Sequence, residues 1–268
     1  MRSIAFTKMA GAGNDFVVID NRSGALKERA KCARRLCDRK YSIGADGLIL
    51  LEGSRRADVR MRILNPDGSE AEMCGNGVRC LARFAVQKRI ARRRHSIETP
   101  AGIINAEVKG QTVKARMVDP MDLKLGSRID VKGRKIDLST VNTGVPHAVL
   151  VVNSLRDCDV QSKGRVIRFH KHFAPRGTNV DFITFKGGRA IEIRTYERGV
   201  EDETLACGTG STAGALVAAA LKGLKSPVFV HTHGGEVLKV YFSRRNAEFT
   251  DVFLEGKVRE CFEGRVTL

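Results

Sequence analysis

Apolar positions along the chain fall mostly into short runs cut by glycine-bearing turns. "DFVVID", "GLILLE" and "VRMRILNPDG" come first, then "HAVLVV", "DFITFKGGRAIEIRTYE" and "VFVHTHGGEVLKVYF", and all read as strands. The last two carry Gly-Gly near their centres and predict β-hairpins. Three segments switch to a helical period. The first runs from about Leu26 to Arg39. The second follows Gly77, where Val78, Leu81, Ala82, Ala85 and Val86 recur at i, i+3, i+4, i+7 and i+8. The third, "STAGALVAAALKG", follows Gly210 and is small or apolar on almost every face, so it should run buried with sheet around it.

The two halves resemble each other. "GNDFVVID" in the first has a counterpart in "TNVDFITF" in the second. "EMCGNGVRCLARF" is echoed by "LACGTGSTAGALV", and each of these follows an acidic stretch, "NPDGSEAEMC" and "YERGVEDETLAC". An internal duplication explains this economically. The expected fold class is α/β (α+β), with two pseudo-symmetric domains. Each would be a mostly antiparallel or mixed sheet wrapped around a central helix, with the active site in the cleft between them. The expected boundaries are 1–118, completed by a returning last strand at 257–268, and 119–256. The turn between the halves is expected at Val118–Gly126.

The repeated Cys-Gly-x-Gly at a helix start has chemical content. A helix N-terminus leaves backbone N–H groups unpaired and carries a partial positive charge. That favours a thiolate and should lower the pKa of Cys74 and of Cys207. The glycines admit a ligand close to the backbone, and the same N–H groups can hold a carboxylate. Two such turns facing one substrate would place a thiol on either side of an α-carbon. One thiolate removes the α-proton and the opposite thiol returns a proton, which is racemisation without pyridoxal phosphate. Cys32, Cys37, Cys80, Cys158 and Cys261 sit outside this motif and read as packing residues.

Composition narrows the class further. The chain has 268 residues, 42% hydrophobic, with 27 glycines, which suits a globular protein with a real core. No apolar run is long enough for a membrane span, and no secretory leader pattern opens the chain, so a cytoplasmic protein is expected. Seven cysteines in such a chain argue against a disulfide framework. No CxxC occurs, and His170/His172 and His231/His233 lack ligands beside them, so no metal is expected. The net charge of +17 peaks in "KRIARRRH", Lys88–His95. That run has no interleaved aromatics, which disfavours a nucleic-acid platform, and reads as a solvated basic face. Any nucleic-acid binding should be weak, non-specific and salt-sensitive.

"KMAGAGNDFVVID", "GADGLILLE", "NPDGSEAEMCGNGVRC", "RGTNVDFI" and "YERGVEDETLACGTG", with a closing "LEGKV", follow in an order that resembles the diaminopimelate epimerase family over nearly the whole chain. The resemblance implies a cofactor-free enzyme that interconverts LL- and meso-diaminopimelate on the way to lysine and peptidoglycan precursors. It implies Cys74 and Cys207 as the base and acid pair, with His147 and Glu197 as neighbours that tune them. It implies that the backbone at Gly75–Asn76 and Gly208–Thr209 holds the reacting α-carboxylate. Asn14, Asn65 and Asn179 would hydrogen-bond the substrate beside Glu197, and Arg198 would grip the distal carboxylate through a bidentate fork.

Two positions depart from the family pattern. Val145 stands where many members carry Asn before Pro146-His147, and Gly47 stands where many carry Gln. Both bear on the distal contacts. Other cofactor-free amino-acid racemases, proline- or histidine-specific, share the paired cysteines. Proline racemase-like proteins usually read Cys-Gly-His at the first turn, so Asn76 favours the diaminopimelate branch. A symmetric homodimer is the base-rate expectation, and closure over substrate would keep water off a carbanion-like intermediate.

Overall fold

The computed structural model describes residues 3–71, 73–131 and 133–268. The chain divides into two compact units, Met1–Arg116 with Gly256–Leu268, and Met117–Glu255.

The first unit contains β1 (Ser3–Gly11), β2 (Asn14–Asp20), α1 (Arg29–Leu36), β3 (Gly47–Glu52), β4 (Val59–Leu64), β5 (Glu70–Ala71), α2 (Gly75–Gln87), β6 (Arg94–Thr99), β7 (Gly102–Lys109) and β8 (Thr112–Arg116). The second contains β9 (Met121–Val131), β10 (Arg134–Asn142), β11 (Pro146–Val151), α3 (Val160–Arg168), β12 (Asn179–Gly187), β13 (Ala190–Glu197), β14 (Asp202–Thr204), α4 (Gly208–Lys222), β15 (Val228–Thr232), β16 (Val237–Arg245) and all but the last two residues of β17 (Glu248–Lys257). β18 (Arg259–Thr267) runs antiparallel along β1.

The connectivity is the same twice. In the first unit β1 pairs antiparallel with β2, β2 parallel with β3, β3 antiparallel with β4, β4 with both β5 and β6, and β6 continues through β7 to β8. In the second, β10 to β17 repeat that series of antiparallel and parallel pairings in order. Even the flanking strand recurs: β18 lies against β1 as β9 lies against β10. By this order β2 corresponds to β11 and β3 to β12. The likeness of "GNDFVVID" to "TNVDFITF" therefore joins β2 to β12, strands that are not topological equivalents.

Both faces of the central strands are buried, which explains their uninterrupted apolar runs. In β2, Phe16 and Val18 face α2, while Val17 and Ile19 join a second cluster with Ala33 and Leu36 of α1. β3 divides likewise, Ile49 and Leu51 on one face and Leu48 and Leu50 on the other. α2 packs against β1–β4 and β6–β8 of its own unit and α4 against β9–β13, β15 and β16 of its unit, so each is a central helix. Residues Gly210–Ala219 of α4 are buried without a break, as its composition predicts.

Three local differences from the sequence reading have physical causes. α1 is shorter than Leu26–Arg39, because the Leu26 N–H donates to Asn21 Oδ1 (2.8 Å) and Asp38 Oδ1 takes the Lys40 and Tyr41 N–H groups. The segment from Met121 is not a turn but the start of β9, whose polar groups are taken up by the β10 ladder. α3 was not anticipated: only Val160, Gly164 and Ile167 are buried in it, and Gly164 packs where a Cβ would stand 2.4 Å from the Tyr196 Cβ.

Candidate functional site

Each Cys-Gly-x-Gly turn opens a central helix in the same way. Cys74 is the N-cap of α2, in extended backbone geometry, and its sulfur accepts the Gly77 N–H at 3.4 Å. Cys207 is the N-cap of α4, and its sulfur accepts the Gly210 N–H, also at 3.4 Å. The first intrahelical N–H bonds belong to Val78 and Ser211. The N–H groups of Gly75 and Asn76, and of Gly208 and Thr209, therefore precede the first helical bond, where an anion can be received.

In the first unit the turn is braced by a polar chain. Asn76 Nδ2 donates to Asn14 Oδ1 (2.7 Å) and to the Ala12 carbonyl (3.3 Å). Arg79, fully buried, donates through Nη2 to Asn76 Oδ1 (2.6 Å) and through Nη1 to the Gly75 carbonyl (3.3 Å). Asn14 Nδ2 in turn donates to Asp46 Oδ2 (3.1 Å). Asn14 and Asn76 are thus linked to each other at the start of α2. Asn65 lies in the β4–β5 turn, with its amide donating to Ser69 Oγ (2.9 Å).

In the second unit Cys207 is buried, its sulfur 3.3 Å from Thr209 Oγ1. The Thr209 carbonyl accepts from Thr143 Oγ1 (3.1 Å), and Thr212 Oγ1 donates to the Gly208 carbonyl (2.9 Å). Glu197 ends β13, and its negative charge acts on the Cys207 thiol. His147 Nδ1 lies 2.7 Å from Asp181 Oδ2, both side chains being fully buried. Asp181 Oδ1 accepts the Thr195 hydroxyl at 2.8 Å. Asn179 spends its amide on structure: Nδ2 donates to the Pro146 carbonyl (3.1 Å) and Oδ1 accepts the Arg198 N–H (2.8 Å). It ties the strand start that carries His147 to the backbone that carries Arg198. The Arg198 guanidinium donates to the Arg176 carbonyl at 3.4 Å.

The electrostatics correct one expectation. The helix terminus should lower the pKa of Cys207, yet its thiol lies well above the ordinary value. Burial is the largest cause, followed by the negative charges of Glu197 and Asp181. The Thr209 hydroxyl and the Gly210 N–H pull the other way and do not offset them. Burial also raises the Glu197 carboxyl, with the negative charge of Asp181 adding to it, against the pull of Thr204 and His147. Alkylation by iodoacetamide checks this. Cys207 is expected to react slowly at pH 7 and faster as pH rises beyond 9, with Glu197→Gln moving the onset to lower pH by removing a like charge. Peptide-resolved mass spectrometry over pH 6–10 reads the rates, and a pH-independent rate would contradict the assignment.

Sequence reasoning missed Asp181, Thr195, Thr143 and Arg79. Their signal was weak, since Asp181 and Thr195 sit inside apolar strand runs and Arg79 sits on an amphipathic helix. Among the described residues, no group of three or more His, Cys, Asp or Glu side chains is arranged to hold a metal. No helix among them is long and apolar enough to cross a membrane.

Comparison with known proteins shows which family the chain resembles. The diaminopimelate epimerase family matches residues 6–123 and 139–258. A diaminopimelate epimerase of Aquifex aeolicus is 45% identical over 98% of this chain and 97% of its own length. One of Archaeoglobus fulgidus is 43% identical over 99% and 97%. Among solved structures, a phenazine biosynthesis protein of the PhzF family from Bacillus anthracis shares the fold, with a TM-score of 0.78 at 17% identity and full coverage of both chains. On the strength of full-length relatives at this identity, the chain is a member of the diaminopimelate epimerase family.

Proposed function

We propose that this isomerase interconverts LL- and meso-diaminopimelate by a two-thiol proton transfer that needs no cofactor, within lysine biosynthesis. One observation carries the reading: the duplicated fold places a cysteine as N-cap of each central helix, where the next N–H groups precede the first helical bond.

In the proposed reaction the α-carboxylate of the reacting centre is held by the N–H groups at Gly75–Asn76 and Gly208–Thr209. Those dipoles favour the negative charge that spreads onto the carboxylate as the α-proton leaves. One cysteine, as thiolate, takes that proton from the α-carbon. The other, as thiol, delivers its own proton to the opposite face, so the centre inverts and the thiol and thiolate exchange roles. The raised Cys207 thiol supports that residue as the proton-bearing partner at rest, which makes Cys74 the base of the first half-reaction. Glu197, whose negative charge acts on Cys207, keeps that thiol protonated until it gives its proton to the α-carbon. His147 is the buried imidazole of the same unit. Asn14 and Arg198 are the proposed contacts to the substrate's polar groups, with Asn65 and Asn179 acting through the segments they brace.

The test is solvent-deuterium incorporation. Reduced protein is incubated with LL-diaminopimelate in heavy water, beside L-proline and L-histidine, and the α-proton signal is followed by NMR. Exchange on diaminopimelate, accompanied by appearance of the meso form, is expected. Exchange confined to proline or histidine would move the chain to another racemase specificity.

A further inference from the structure

The duplication supplies an internal control for every core position. A Cβ added at Gly77, in the first turn of α2, would meet Ile63 Cδ1 at 3.0 Å and Ile49 Cδ1 at 3.3 Å. Ile49 and Ile63 are direct cross-strand partners in β3 and β4. A Cβ added at the equivalent Gly210, in the first turn of α4, would meet Asp181 Oδ1 at 2.4 Å and Thr195 Oγ1 at 3.2 Å. Asp181 and Thr195 are likewise direct cross-strand partners, in β12 and β13. The register carries the equivalence one strand further. Phe16 of β2 lies opposite Gly47 of β3, and His147 of β11 lies opposite Asn179 of β12. Under the start of the central helix, one unit builds Phe16, Ile49 and Ile63, and the other builds His147, Asp181 and Thr195.

The apolar set shows that the fold does not require polar groups there. Buried polar groups are costly unless fully bonded, so a polar substitution of a whole core layer calls for a use. The bonds that are made are specific. Asp181 accepts from the Thr195 hydroxyl at 2.8 Å and from His147 Nδ1 at 2.7 Å, which occupies both carboxylate oxygens. The bond left unmade is as informative: His147 Nε2 is buried and has no hydrogen-bond partner among the described residues.

The geometry points to Asp181 as a positioning residue for the reaction: it holds His147 with the proton on Nδ1 and keeps the Nε2 lone pair free in the site, while Thr195 orients the carboxylate. A carboxylate that fixes an imidazole tautomer makes the ring a one-directional proton acceptor. This rests on the proposed epimerase reading, and the test has one readout that needs no substrate.

Asp181→Asn is the variant. In protein labelled with 15N-histidine, long-range proton–nitrogen NMR reads the tautomer of His147, one of six histidines, assigned by the loss of its signals in His147→Gln. Wild type is expected to show Nδ1 protonated, and Asp181→Asn to move the proton to Nε2. For diaminopimelate, kcat is expected to fall by about 10²–10⁴-fold with KM within about threefold. A second variant guards against simple misfolding. The triple replacement His147→Phe, Asp181→Ile, Thr195→Ile copies the first unit's layer, and is expected to melt cooperatively at or above the wild-type temperature while being inactive. An unprotonated Nδ1 in wild type, an unchanged kcat in Asp181→Asn, or a triple variant that fails to fold would each overturn the assignment. If wild type does not act on diaminopimelate but the tautomer switches as expected, the proposed function fails and the role of Asp181 in holding His147 stands.

Discussion

Serine in place of Cys207 is expected to leave the fold intact and to lower kcat for diaminopimelate epimerisation by about 10³-fold, and serine in place of Cys74 should do the same. A positioned acid or base contributes typically about 10²–10⁴ in rate. A hydroxyl is a far weaker acid than a thiol and cannot serve as the resting thiolate or hand over a proton at neutral pH. Serine matters as the replacement because each sulfur has a second job. It caps its helix by accepting the N–H of Gly77 or Gly210, and loss of a cap costs about 0.5–2 kcal/mol. Alanine removes both cap and chemistry, whereas serine keeps an oxygen acceptor in the cap position. The expected pattern is that alanine variants melt several degrees lower, serine variants melt near wild type, and all four lose activity together. Retained epimerisation in either serine variant would end the two-thiol reading. A serine variant that melted as low as its alanine counterpart would show that the loss came from the helix start.

The legible part of this site was its motif, and the illegible part was its surroundings. Cys-Gly-x-Gly before an apolar run announces an N-cap from local spacing alone, and α2 and α4 begin one residue after the cysteines. The pKa of Cys207 was not legible, because the groups that raise it come from elsewhere. Glu197 lies ten residues earlier on β13, Asp181 lies on β12, and burial is a property of the assembled layer. Asp181 itself was hidden by the strand likeness that drew attention to it. "GNDFVVID" and "TNVDFITF" align by sequence, but by topology β12 answers to β3, where Ile49 stands. In the first unit the aspartate of the motif, Asp15, is paired instead with Lys8 (2.8 Å) and Arg39 (2.6 Å). The same letters therefore serve different ends. α3 escaped notice for a different reason: its capping signal, Asp159 accepting the Ser162 N–H, precedes a helix with only three buried positions, too few to set a period.

Asparagines show the same limit in a milder form. Asn14, Asn65, Asn76 and Asn179 are alike in type. Only the structure separates Asn14 and Asn76, linked to each other at the start of α2, from Asn65, which closes a turn, and Asn179, which joins two segments. Substituting the last two should act through position of the backbone, the first two through the helix start itself.

Gly210→Ala is expected to be among the most damaging single-methyl changes available to this chain, and Gly77→Ala among the mildest, although the two positions are equivalent. Alanine in a helix is favoured over glycine by up to about 1 kcal/mol, so both changes begin with a gain. At Gly77 the new methyl meets the ends of Ile63 and Ile49 at 3.0 and 3.3 Å. Those are terminal methyls on flexible side chains, and a shift of a few tenths of an ångström relieves the contact. At Gly210 it meets Asp181 Oδ1 at 2.4 Å and the Cys207 Cβ at 3.2 Å. That oxygen is held by the Thr195 hydroxyl, and its partner oxygen by His147. Yielding means breaking buried polar bonds, each about 1–3 kcal/mol when a partner is stranded, on top of an overpacking cost of about 1–3 kcal/mol. The net expectation is a loss of about 2–4 kcal/mol at Gly210 against a change within about 1 kcal/mol at Gly77. The Gly210 variant should also lose most of its kcat, because the methyl displaces Asp181 and the capping sulfur together. Chemical denaturation of both variants, with kcat measured on the folded fraction, decides the matter. Equal stability losses at the two glycines would mean that the polar layer beneath α4 yields as easily as the apolar layer beneath α2. The His147–Asp181–Thr195 set would then be too soft to hold a proton in place.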